Sequence, residues 1–558
     1  MGIHWKRNNS MSTRILKIHP TDNVLVALAD LKAGEKISFN GASFTLTESI
    51  PAKHKFVQTS LQPEAEIIMY GVLVGKATKP ILAGGSINTQ NVKHTSSSFS
   101  GRNKNFEWKA PDVSRWKQKT FPGYHRNDGQ VGTANYWLVI PMVFCENRNV
   151  NAIRNAFEEA LGFSKPEVYK SYVYELVDLY HQGKSDAIKS HPFTPDVTEG
   201  RSKIFKNIDG IKFLTHEGGC GGTRQDSEAL CGLLAGYINN PNVAGATILS
   251  LGCQNAQVDI LTRKLNQINP SFTKPLVILD QQKEGTEQAL LAQAIQKTFL
   301  HLIEVNKQER APAPITKLVV GLECGGSDGF SGISANPAIG HTSDLLAALG
   351  GTSILSEFPE LCGVEQELIN RCVNDQVANR FIELMRAYAN AAEAVGSGFD
   401  MNPSPGNIKD GLITDAMKSA GAAKKGGTSP VTDVLDYTEY VKRPGLNLLC
   451  TPGNDVESTT AMAGSGANIM LFTTGLGTPT GNPIAPVIKV SSNTPLAKKM
   501  PDIIDFDCGE VISGVKTIEQ LGEEILDLII DVAGGRKKTK ANLLNQDDFI
   551  PWKRGVSL

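Results

Sequence analysis

The chain has 558 residues, with 56 basic and 57 acidic side chains and a formal net charge of −1. This balance gives no general attraction to nucleic acid or to an anionic membrane surface. The longest apolar runs are too short for a transmembrane helix. At about 100–200 residues per domain, the length indicates about three globular domains.

The first residues, "MGIHWKRNNSMSTRILKI", lack the apolar stretch of a secretory signal, and Met11 offers a second in-frame start beside Met1. The nine cysteines include no CxxC pair. An odd number of cysteines without framework spacing predicts free thiols in a reducing compartment. We therefore expect a cytoplasmic protein without structural disulfides.

Residues 11–98 predict a small all-β domain. Short runs rich in β-forming residues, such as "NVLVAL", "KFVQT" and "IIMYGVLVGKA", alternate with turn sequences such as "KAGE" and "FNGA". The polar segment 99–123 contains Ser, Gly and Pro and predicts a linker. Its Trp108 and Trp116 predict that the linker is pinned along a domain surface.

From residue 124 onward, continuously apolar strands alternate with amphipathic helices. This order predicts an α/β fold with a Rossmann-like, mostly parallel sheet covered on both faces. The segment "ERAPAPIT" separates a predicted middle domain, 124–308, from a C-terminal domain, 309–545. A helical segment is predicted over "EQELINRCVNDQVANRFIELMRAYANAAEAVG".

Four predicted strands end in loops that join glycines to thiol, carboxylate, amide or hydroxyl groups. The loops read "HEGGCGGTRQDS", "GCQNAQ", "LECGGSDGFSG" and "TPGNDVESTT". Ligands of parallel α/β sheets bind beyond the carboxyl ends of the strands, and glycine-rich loops that open a helix favour anions. For any loop taken alone, a tight structural turn is the alternative. Neither a GxGxxG nor a Walker A motif is present, so NAD and nucleotides are not expected.

The loops supply candidate acid–base and metal-binding side chains, namely His216, Glu217, Cys220, Cys253, Glu323, Cys324, Asp328 and Asp455. Such a mixture of thiolate, imidazole and carboxylate suits a divalent transition metal such as iron, zinc or manganese. Cysteines in helix-like segments are predicted to be buried apolar side chains; these are Cys231, Cys362 and Cys372. In "ESIPAKHKFV", His54 and Lys55 form either an exposed turn or a base and anion contact offered to another domain.

Long segments of the chain resemble the altronate/galactarate dehydratases, a family of sugar-acid hydro-lyases. They include "IPAKHKF", "GYHRNDGQVGTANYWLVIP", "THEGGCGG", "GLECGGSDGFSGISANPAIG" and "GNDVESTTAMAGSGANIMLFTTGLGTPTG", within residues 13–535. The resemblance implies an N-terminal SAF-type β-clip domain, a middle domain that forms a homodimer and a C-terminal Rossmann-like domain. It also implies an enzyme that requires Fe²⁺, or Mn²⁺, and no NAD.

The resemblance is closer to altronate than to galactarate dehydratases, chiefly in "GYHRNDGQVGTANYWLVIP". It implies dehydration of D-altronate to 2-dehydro-3-deoxy-D-gluconate in hexuronate catabolism. Galactarate dehydration, a sulfo-lyase reaction on a hydroxy acid and non-catalytic binding of a sugar acid are the alternatives. Two departures bear on the substrate, because Ala134 stands where an arginine is common and "HEGGCGGTRQ" is a variant loop.

Loop position and family motif together suggest roles for individual residues at one shared site. The predicted catalytic residues are His54, His216 and Asp328. The predicted substrate contacts are Lys55, Arg126, Ser327, Asn454 and Thr473. The predicted metal ligands are Cys220, Glu323, Cys324 and Asp455.

Overall fold

The computed structural model describes residues 14–103, 105–165, 167–194 and 202–557, so the two candidate start positions, Met1 and Met11, lie outside the described residues. Residues 14–95 form the expected small β domain and contain no helix. Its strands pair antiparallel in three sheets, ordered β1-β2-β5, β3-β4 and β6-β7-β8. They are β1 (Ile15–Leu16), β2 (Val24–Ala27), β3 (Lys36–Phe39), β4 (Ala42–Thr45), β5 (Lys55–Val57), β6 (Glu66–Met69), β7 (Val72–Ala77) and β8 (Val92–Lys93).

The described part of the linker before residue 120 forms no helix or strand and lies along the C-terminal domain. Trp116 is buried, and its Nε1 donates to Asp527 Oδ1 at 3.0 Å. Trp108 Nε1 donates to Thr428 Oγ1 at 3.3 Å. The end of the linker enters a three-stranded antiparallel sheet with both borders of the middle domain, made of β9 (Thr120–His125), β10 (Val131–Gly132) and β15 (Ala311–Pro314).

The middle domain is built on a parallel sheet in the order β12-β11-β13-β14. Its strands are β11 (Tyr136–Pro141), β12 (Gly210–Phe213), β13 (Val243–Ser250) and β14 (Leu276–Asp280). Its helices are α1 (Asn147–Glu158), α2 (Val168–His181), α3 (Ser185–Ile188), α4 (Arg224–Asn239), α5 (Val258–Ile268), α6 (Gln281–Glu284) and α7 (Glu287–Val305). The predicted alternation of strands and helices is confirmed here.

The C-terminal domain contains seven parallel strands in the order β18-β19-β17-β16-β20-β21-β22. They are β16 (Val319–Cys324), β17 (Thr352–Leu355), β18 (Val431–Leu435), β19 (Gly445–Leu449), β20 (Ile469–Thr474), β21 (Val487–Ser491) and β22 (Phe506–Asp507). The central strand β16 comes first in the chain, and the later strands are added on both of its sides. The carboxyl end of β16 is therefore a topological switch point, where ligands of such sheets bind.

Nine helices of the described chain accompany this sheet. They are α8 (Ala335–Leu349), α9 (Glu365–Arg371), α10 (Asp375–Glu393), α11 (Pro405–Lys409), α12 (Asp415–Ala422), α13 (Asp455–Gly464), α14 (Thr494–Lys499), α15 (Ile518–Ala533) and α16 (Lys540–Leu544). The predicted long helical segment is two helices, α9 and α10, because Asn374 starts a new helix by accepting a hydrogen bond from Val377 N at 2.9 Å. Cys231, Cys362 and Cys372 are buried, as predicted.

The three domains share their apolar cores. One cluster joins side chains of the β domain, such as Val74, to Phe358 and Met417 of the C-terminal domain. A second joins Leu233 of the middle domain to Met462 on α13. The helices α4 and α13 touch backbone to backbone, since a Cβ on Gly236 would lie 1.9 Å from Gly464 O. Among the described residues, no helix combines the length and apolar character needed to cross a membrane.

Candidate functional site

A compact group of buried acidic side chains lies at the carboxyl ends of β16 and β17. Cys324 is the last residue of β16, and Glu357 and Glu360 follow β17. One ligand atom of each of these three side chains lies within 4.8 Å of the other two. The proximity follows from the sheet, because neighbouring parallel strands end at the same edge.

Two lysines from α12 and the turn after it neutralise part of this acidic group. Lys425 Nζ lies 2.7 Å from Cys324 Sγ and 2.5 Å from Glu357 Oε2. Lys418 Nζ donates to Glu360 Oε1 at 2.6 Å. The Cys324 thiol donates to Glu360 Oε2 at 3.3 Å. We call these five residues, Cys324, Glu357, Glu360, Lys418 and Lys425, the buried ion cluster.

The protonation states of the buried ion cluster and of the neighbouring Glu323 follow from desolvation and charge. Burial, and then the charge of Glu357, raises the pKa of Glu323 well above its usual range. Burial, together with the charge of Glu360, also raises the pKa of Glu357, although Lys425 opposes this effect. Burial and the neighbouring glutamates also raise the pKa of Cys324, which favours the thiol. Burial opposes the charge of Lys425, but the surrounding acidic groups hold its pKa well above the ordinary value.

Asp455 and Lys489 border the buried ion cluster and titrate near neutrality. Asp455 opens α13, and a Cβ on Gly325 would lie 2.0 Å from its Oδ2, so only glycine allows this approach. Burial, followed by the charges of Glu357 and Glu360, raises the pKa of Asp455 to about 7. Lys489 Nζ is buried without a hydrogen-bond partner among the described residues and lies 3.5 Å from the Phe472 ring centroid. Burial lowers the pKa of Lys489 to about 7.

The β domain contributes the segment Lys53–Lys55 to the same face of the C-terminal domain. Lys53 Nζ lies 3.0 Å from Asp328 Oδ2 and 2.9 Å from Asp410 Oδ1. Lys55 Nζ donates to Gly411 O at 2.6 Å, and burial lowers its pKa to about 7. His54 is half-buried between them, and its Nδ1 lies 3.2 Å from Ala52 O. The segment is therefore a contact between domains rather than a free exposed turn.

The structure brings several of the predicted residues to this region. Glu323, Cys324 and Asp455 surround Glu357, since the charge of Glu357 contributes to the raised pKa of each of them. Ser327 Oγ is buried and has no hydrogen-bond partner among the described residues, while the Ser327 carbonyl accepts from Asn407 Nδ2 at 2.7 Å. Asn454 caps α13 through hydrogen bonds from Val456 N and Glu457 N. The Ser327 hydroxyl is thus left unpaired at this position among the described residues.

Other predicted residues are occupied by contacts within the protein. Asp328 accepts from Ser331, Ser492 and Asn493 in addition to Lys53. Thr473 Oγ1 donates to Asn336 Oδ1 at 2.6 Å. The catalytic role of Asp328 and the substrate contact of Thr473 stay predictions.

Three predicted residues belong to the middle domain and are absent from the buried ion cluster. Arg126 donates to Pro241 O at 2.8 Å and to Asn135 Oδ1 at 3.0 Å, which joins loops of its own domain. His216 Nε2 lies 2.8 Å from Pro141 O, its Nδ1 accepts from Gly218 N at 3.1 Å, and burial lowers its pKa. Cys220 is exposed. None of these three residues has a contact with the buried ion cluster among the described residues. Their roles at a site shared with Cys324 stay predictions.

Sequence reasoning missed five charged residues of the site, namely Glu357, Glu360, Lys418, Lys425 and Lys489. Lys489 had a detectable signal, since it interrupts the apolar run "PVIKV" in the middle of a predicted strand. The two glutamates in "LSEFPEL" follow a strand of only four residues, which lacks a glycine-rich loop. A search for glycine-rich loops after predicted strands therefore does not identify these two glutamates.

The buried ion cluster suits a divalent metal ion. Glu323 Oε1 and Glu357 Oε1 are buried without a donor among the described residues. Burial and mutual repulsion raise the pKa values of Glu323, Glu357 and Asp455, and a divalent cation would relieve this repulsion and replace their protons. Carboxylates with one thiolate are a donor set for iron, manganese or zinc.

All three domains match models of one family of known proteins. Residues 13–95 match the "Altronate/galactarate dehydratase SAF domain", and residues 123–306 match the "D-galactarate dehydratase/Altronate hydrolase, second domain". Residues 315–557 match "D-galactarate/Altronate dehydratase, C-terminal". The chain belongs to the altronate/galactarate dehydratase family.

Individual relatives match over almost their whole length. The altronate dehydratase of Escherichia coli (strain K12) is 32% identical over 546 residues, which are 97% of this chain and 99% of the relative. The altronate dehydratase of Bacillus subtilis (strain 168) is 33% identical over 548 residues, with the same coverage of 97% and 99%. The galactarate dehydratase (L-threo-forming) of Escherichia coli (strain K12) is 31% identical over 546 residues, or 96% and 95%.

The neutralising role of Lys425 can be tested against its neighbour. Replacing Lys425 by Met leaves the Glu357 carboxylate buried without its cation, which should destabilise the metal-free protein by about 3–5 kcal/mol. Lys424→Met is the matched control, because Lys424 forms only a 3.7 Å pair with Glu367 at 30% side-chain exposure; its cost should stay below about 1 kcal/mol. Urea unfolding of both variants measures the difference, and equal losses would contradict the role.

The raised pKa of Asp455 predicts a pH-dependent gain in stability for Asp455→Asn. The pKa of Asp455 is about 7 in the native state and 3.8 in the unfolded chain, so the unfolded state loses this proton first and wild-type stability falls as pH rises between these values. Thermal unfolding should show the variant to be more stable by about 1–3 kcal/mol at pH 8. The gain should vanish below pH 4, where both states are protonated.

Asp502→Asn is the control for this measurement, because Asp502 is exposed. We expect no pH-dependent difference for it, within about 0.5 kcal/mol. An Asp455→Asn gain that is the same at pH 4 and pH 8 would show that ionisation of Asp455 is not its cause.

Proposed function

We propose that the protein is a metal-dependent hydro-lyase that converts D-altronate to 2-dehydro-3-deoxy-D-gluconate. The observation that carries the proposal is the buried ion cluster at the switch point of the C-terminal sheet. The cluster supplies metal-ligand chemistry, and the neighbouring Asp455 and Lys489 have pKa values of about 7. Membership in the dehydratase family and the two altronate dehydratase relatives support the same reaction class.

Dehydration of a 2,3-dihydroxy acid removes the C2 proton and the C3 hydroxyl. The C2 proton is weakly acidic because the adjacent carboxylate already carries a negative charge, so positive charge must stabilise the enediolate-like transition state. A metal ion held by Cys324, Glu357 and Glu360 would supply this positive charge as a Lewis acid. Fe²⁺, or Mn²⁺ as the alternative, is the proposed ion; no NAD is required.

Residues of this chain provide the proton transfers. A general base works best with a pKa near the operating pH, and Asp455 and Lys489 both have a pKa of about 7. We assign removal of the C2 proton to one of these two groups. Burial opposes the charge of Lys418, but Glu360 and the neighbouring acidic groups raise its pKa, so Lys418 stays a cation that stabilises the leaving hydroxide by its charge. The proton removed from C2 can complete the water that leaves. The enol product then tautomerises to the 2-keto acid.

The β domain and Ser327 are suited to hold the substrate. Lys53 places positive charge beside the C-terminal domain, where an anionic sugar acid would bind. Lys55 adds a positive charge there when it is protonated, and the Ser327 hydroxyl has no partner among the described residues. His54 is adjacent to both lysines in the chain and stays a candidate for acid–base catalysis.

A turnover assay tests the function. Anaerobically purified, Fe²⁺-loaded protein is incubated with altronate, galactarate or a sulfonated hydroxy acid, and formation of the 2-keto acid is followed. We expect the highest kcat/KM with altronate; a preference for galactarate would support the second relative's reaction instead. Binding of altronate without turnover would identify a sugar-acid-binding protein and overturn the proposal.

Cys324→Ser tests the metal site in the same assay. Weakening a Lewis acid worth several kcal/mol should lower kcat by about 100-fold or more, together with the bound iron. Cys372→Ser is the matched control, since Cys372 is also buried but only donates to Leu368 O within its own segment. Normal iron content and turnover in Cys324→Ser would exclude the thiol as a ligand.

We also propose that the protein is a homodimer, formed through α2 of the middle domain. None of the residues of this helix is buried. Its Tyr169, Tyr174 and Tyr180 are 74%, 60% and 67% exposed, and Val173 and Val177 lie beside them. An apolar, aromatic helix face of this kind is typical of an association surface.

The dimer is tested by sedimentation of a Tyr174→Asp variant. A buried carboxylate without a partner disfavours association, so the variant should sediment as a monomer while the wild-type chain sediments as a dimer. Leu82→Asp changes a 65% exposed residue of the β domain and serves as control. A Tyr174→Asp dimer as stable as the wild type would exclude this surface.

A further inference from the structure

Three cysteines of the middle domain share a position that the function proposed above does not use. Cys145, Cys220 and Cys253 are exposed, whereas the other six cysteines of the chain are buried. Free cysteine is among the most buried residue types. The three exposed thiols therefore need an explanation other than packing.

All three thiols lie beyond the carboxyl ends of adjacent parallel strands. Cys145 follows β11, Cys220 follows β12 and Cys253 follows β13, and β11 is the strand between the other two. Strand ends of one parallel sheet meet at one edge, which is where the ligands of such sheets bind. The sheet thus gathers thiols that are up to 108 positions apart in the chain (145 to 253).

Direct contacts join the three loops around Gly218 and Gly219. Phe144 N, next to Cys145, donates to Gly218 O at 3.1 Å. Ala256 N, from the Cys253 loop, donates to Gly219 O at 3.1 Å. Gly219 has a positive φ of 96°, and a Cβ there would lie 2.2 Å from Met142 O, so only glycine permits this packing.

The loops also offer backbone N–H groups beside the thiols. The N–H groups of Gly219, Cys220 and Cys253 donate no hydrogen bond to the described residues. Gly219, Gly221 and Gly252 have positive φ angles of 96°, 69° and 114°. Turns of this kind form concave arrays of N–H groups that hold phosphates and iron–sulfur clusters.

The spacing of the thiols distinguishes between kinds of metal site. Around a single zinc ion with Zn–S distances of about 2.3 Å, neighbouring thiolates lie about 4 Å apart. Among the described residues, the groups of ligand atoms within 4.8 Å of one another do not include this trio. His216 is not free to act as a fourth ligand, since both its ring nitrogens are bonded. In an iron–sulfur cluster each thiolate binds its own iron, which suits a wider spacing.

We propose that Cys145, Cys220 and Cys253 are the thiolate ligands of an iron–sulfur cluster at the carboxyl edge of the middle-domain sheet. Three protein thiolates leave one iron of a four-iron cluster open to a non-protein ligand. A cavity of about 330 Å³ adjoins Cys220 and is lined by its loop and by the C-terminal segment 549–553. An oxygen ligand such as water or a small hydroxy acid reaches the cluster through this cavity. The site is separate from Cys324 and does not depend on the proposed dehydratase reaction.

The test uses the full chain, purified anaerobically and reconstituted with ferrous iron and sulfide. We expect iron and acid-labile sulfide in similar amounts, several of each per chain, with the visible absorption and reduced-state electron paramagnetic resonance of a cluster. Loss of an outer-shell partner alone costs about 10–100-fold in metal affinity. Removal of a single thiolate ligand should therefore lower the labile sulfide content at least about tenfold relative to the wild-type chain. We expect this loss for each of Cys145→Ser, Cys220→Ser and Cys253→Ser.

Two variants serve as controls for the cluster. Cys231→Ser changes a buried thiol of the same domain, and Cys324→Ser changes the thiol of the buried ion cluster; both should keep the labile sulfide. Circular dichroism should show that the exposed-cysteine variants remain folded.

Any of four results would overturn the proposal, and three of them come from the reconstitution itself. They are reconstituted protein without labile sulfide, labile sulfide that persists in the triple serine variant, and stoichiometric zinc bound by the three thiols in place of iron and sulfide. A disulfide between two of the three, found by mass spectrometry of anaerobic protein, would overturn it as well. None of these results affects the Cys324 assays, so failure of the two proposals can be told apart.

Discussion

The interaction on which the C-terminal site depends is the ion pair between Lys425 and Glu357 inside the protein. Both side chains are almost fully buried, at 1% and 0% exposure. A charge in this environment is tolerated only with a partner, because desolvation of a lone ion costs several kcal/mol. The pair holds the loop after β17 and the turn after α12 in fixed relation to Cys324. Cys324 and Glu360 each have a ligand atom within 4.8 Å of one on Glu357.

The same constraint explains why the site contains groups with unusual proton affinities. The acidic side chains around Glu357 exceed the lysines that reach them, so further ionisation is opposed by both burial and charge. Glu323 and Asp455 respond with raised pKa values. On the opposite side of β16, Lys489 responds to burial with a lowered pKa. Burying these ionisable groups destabilises the native state. In return, Asp455 and Lys489 can exchange protons near pH 7.

The architecture could be predicted from the sequence because each strand and helix has its own local sequence pattern. Continuously apolar strands, glycine-rich loops and amphipathic helices each identify an element without knowledge of its neighbours. The predictions for Glu323, Cys324 and Asp455 rested on the same rule that ligands collect at strand ends, and these residues do lie together. Glu357 and Lys425 were not found, because their importance comes from burial and from each other across 68 positions in the chain. Neither property is visible in the letters around either residue.

The sequence predicts one site for Cys220 and Cys324 because both follow predicted parallel strands. The rule that ligands bind beyond strand ends does not say which sheet a strand belongs to. The rule holds for each sheet separately, and the described part of this chain contains two parallel sheets with an edge of this kind. Cys324 lies among carboxylates and lysines in a buried environment, where a hard or borderline divalent ion is matched by the donors. Cys220 lies in an exposed loop at the edge of the middle-domain sheet, beside backbone N–H groups without a partner among the described residues, where softer chemistry is favoured. Assigning each strand end to its own sheet divides the candidate ligands into two sets, and each set is then chemically consistent.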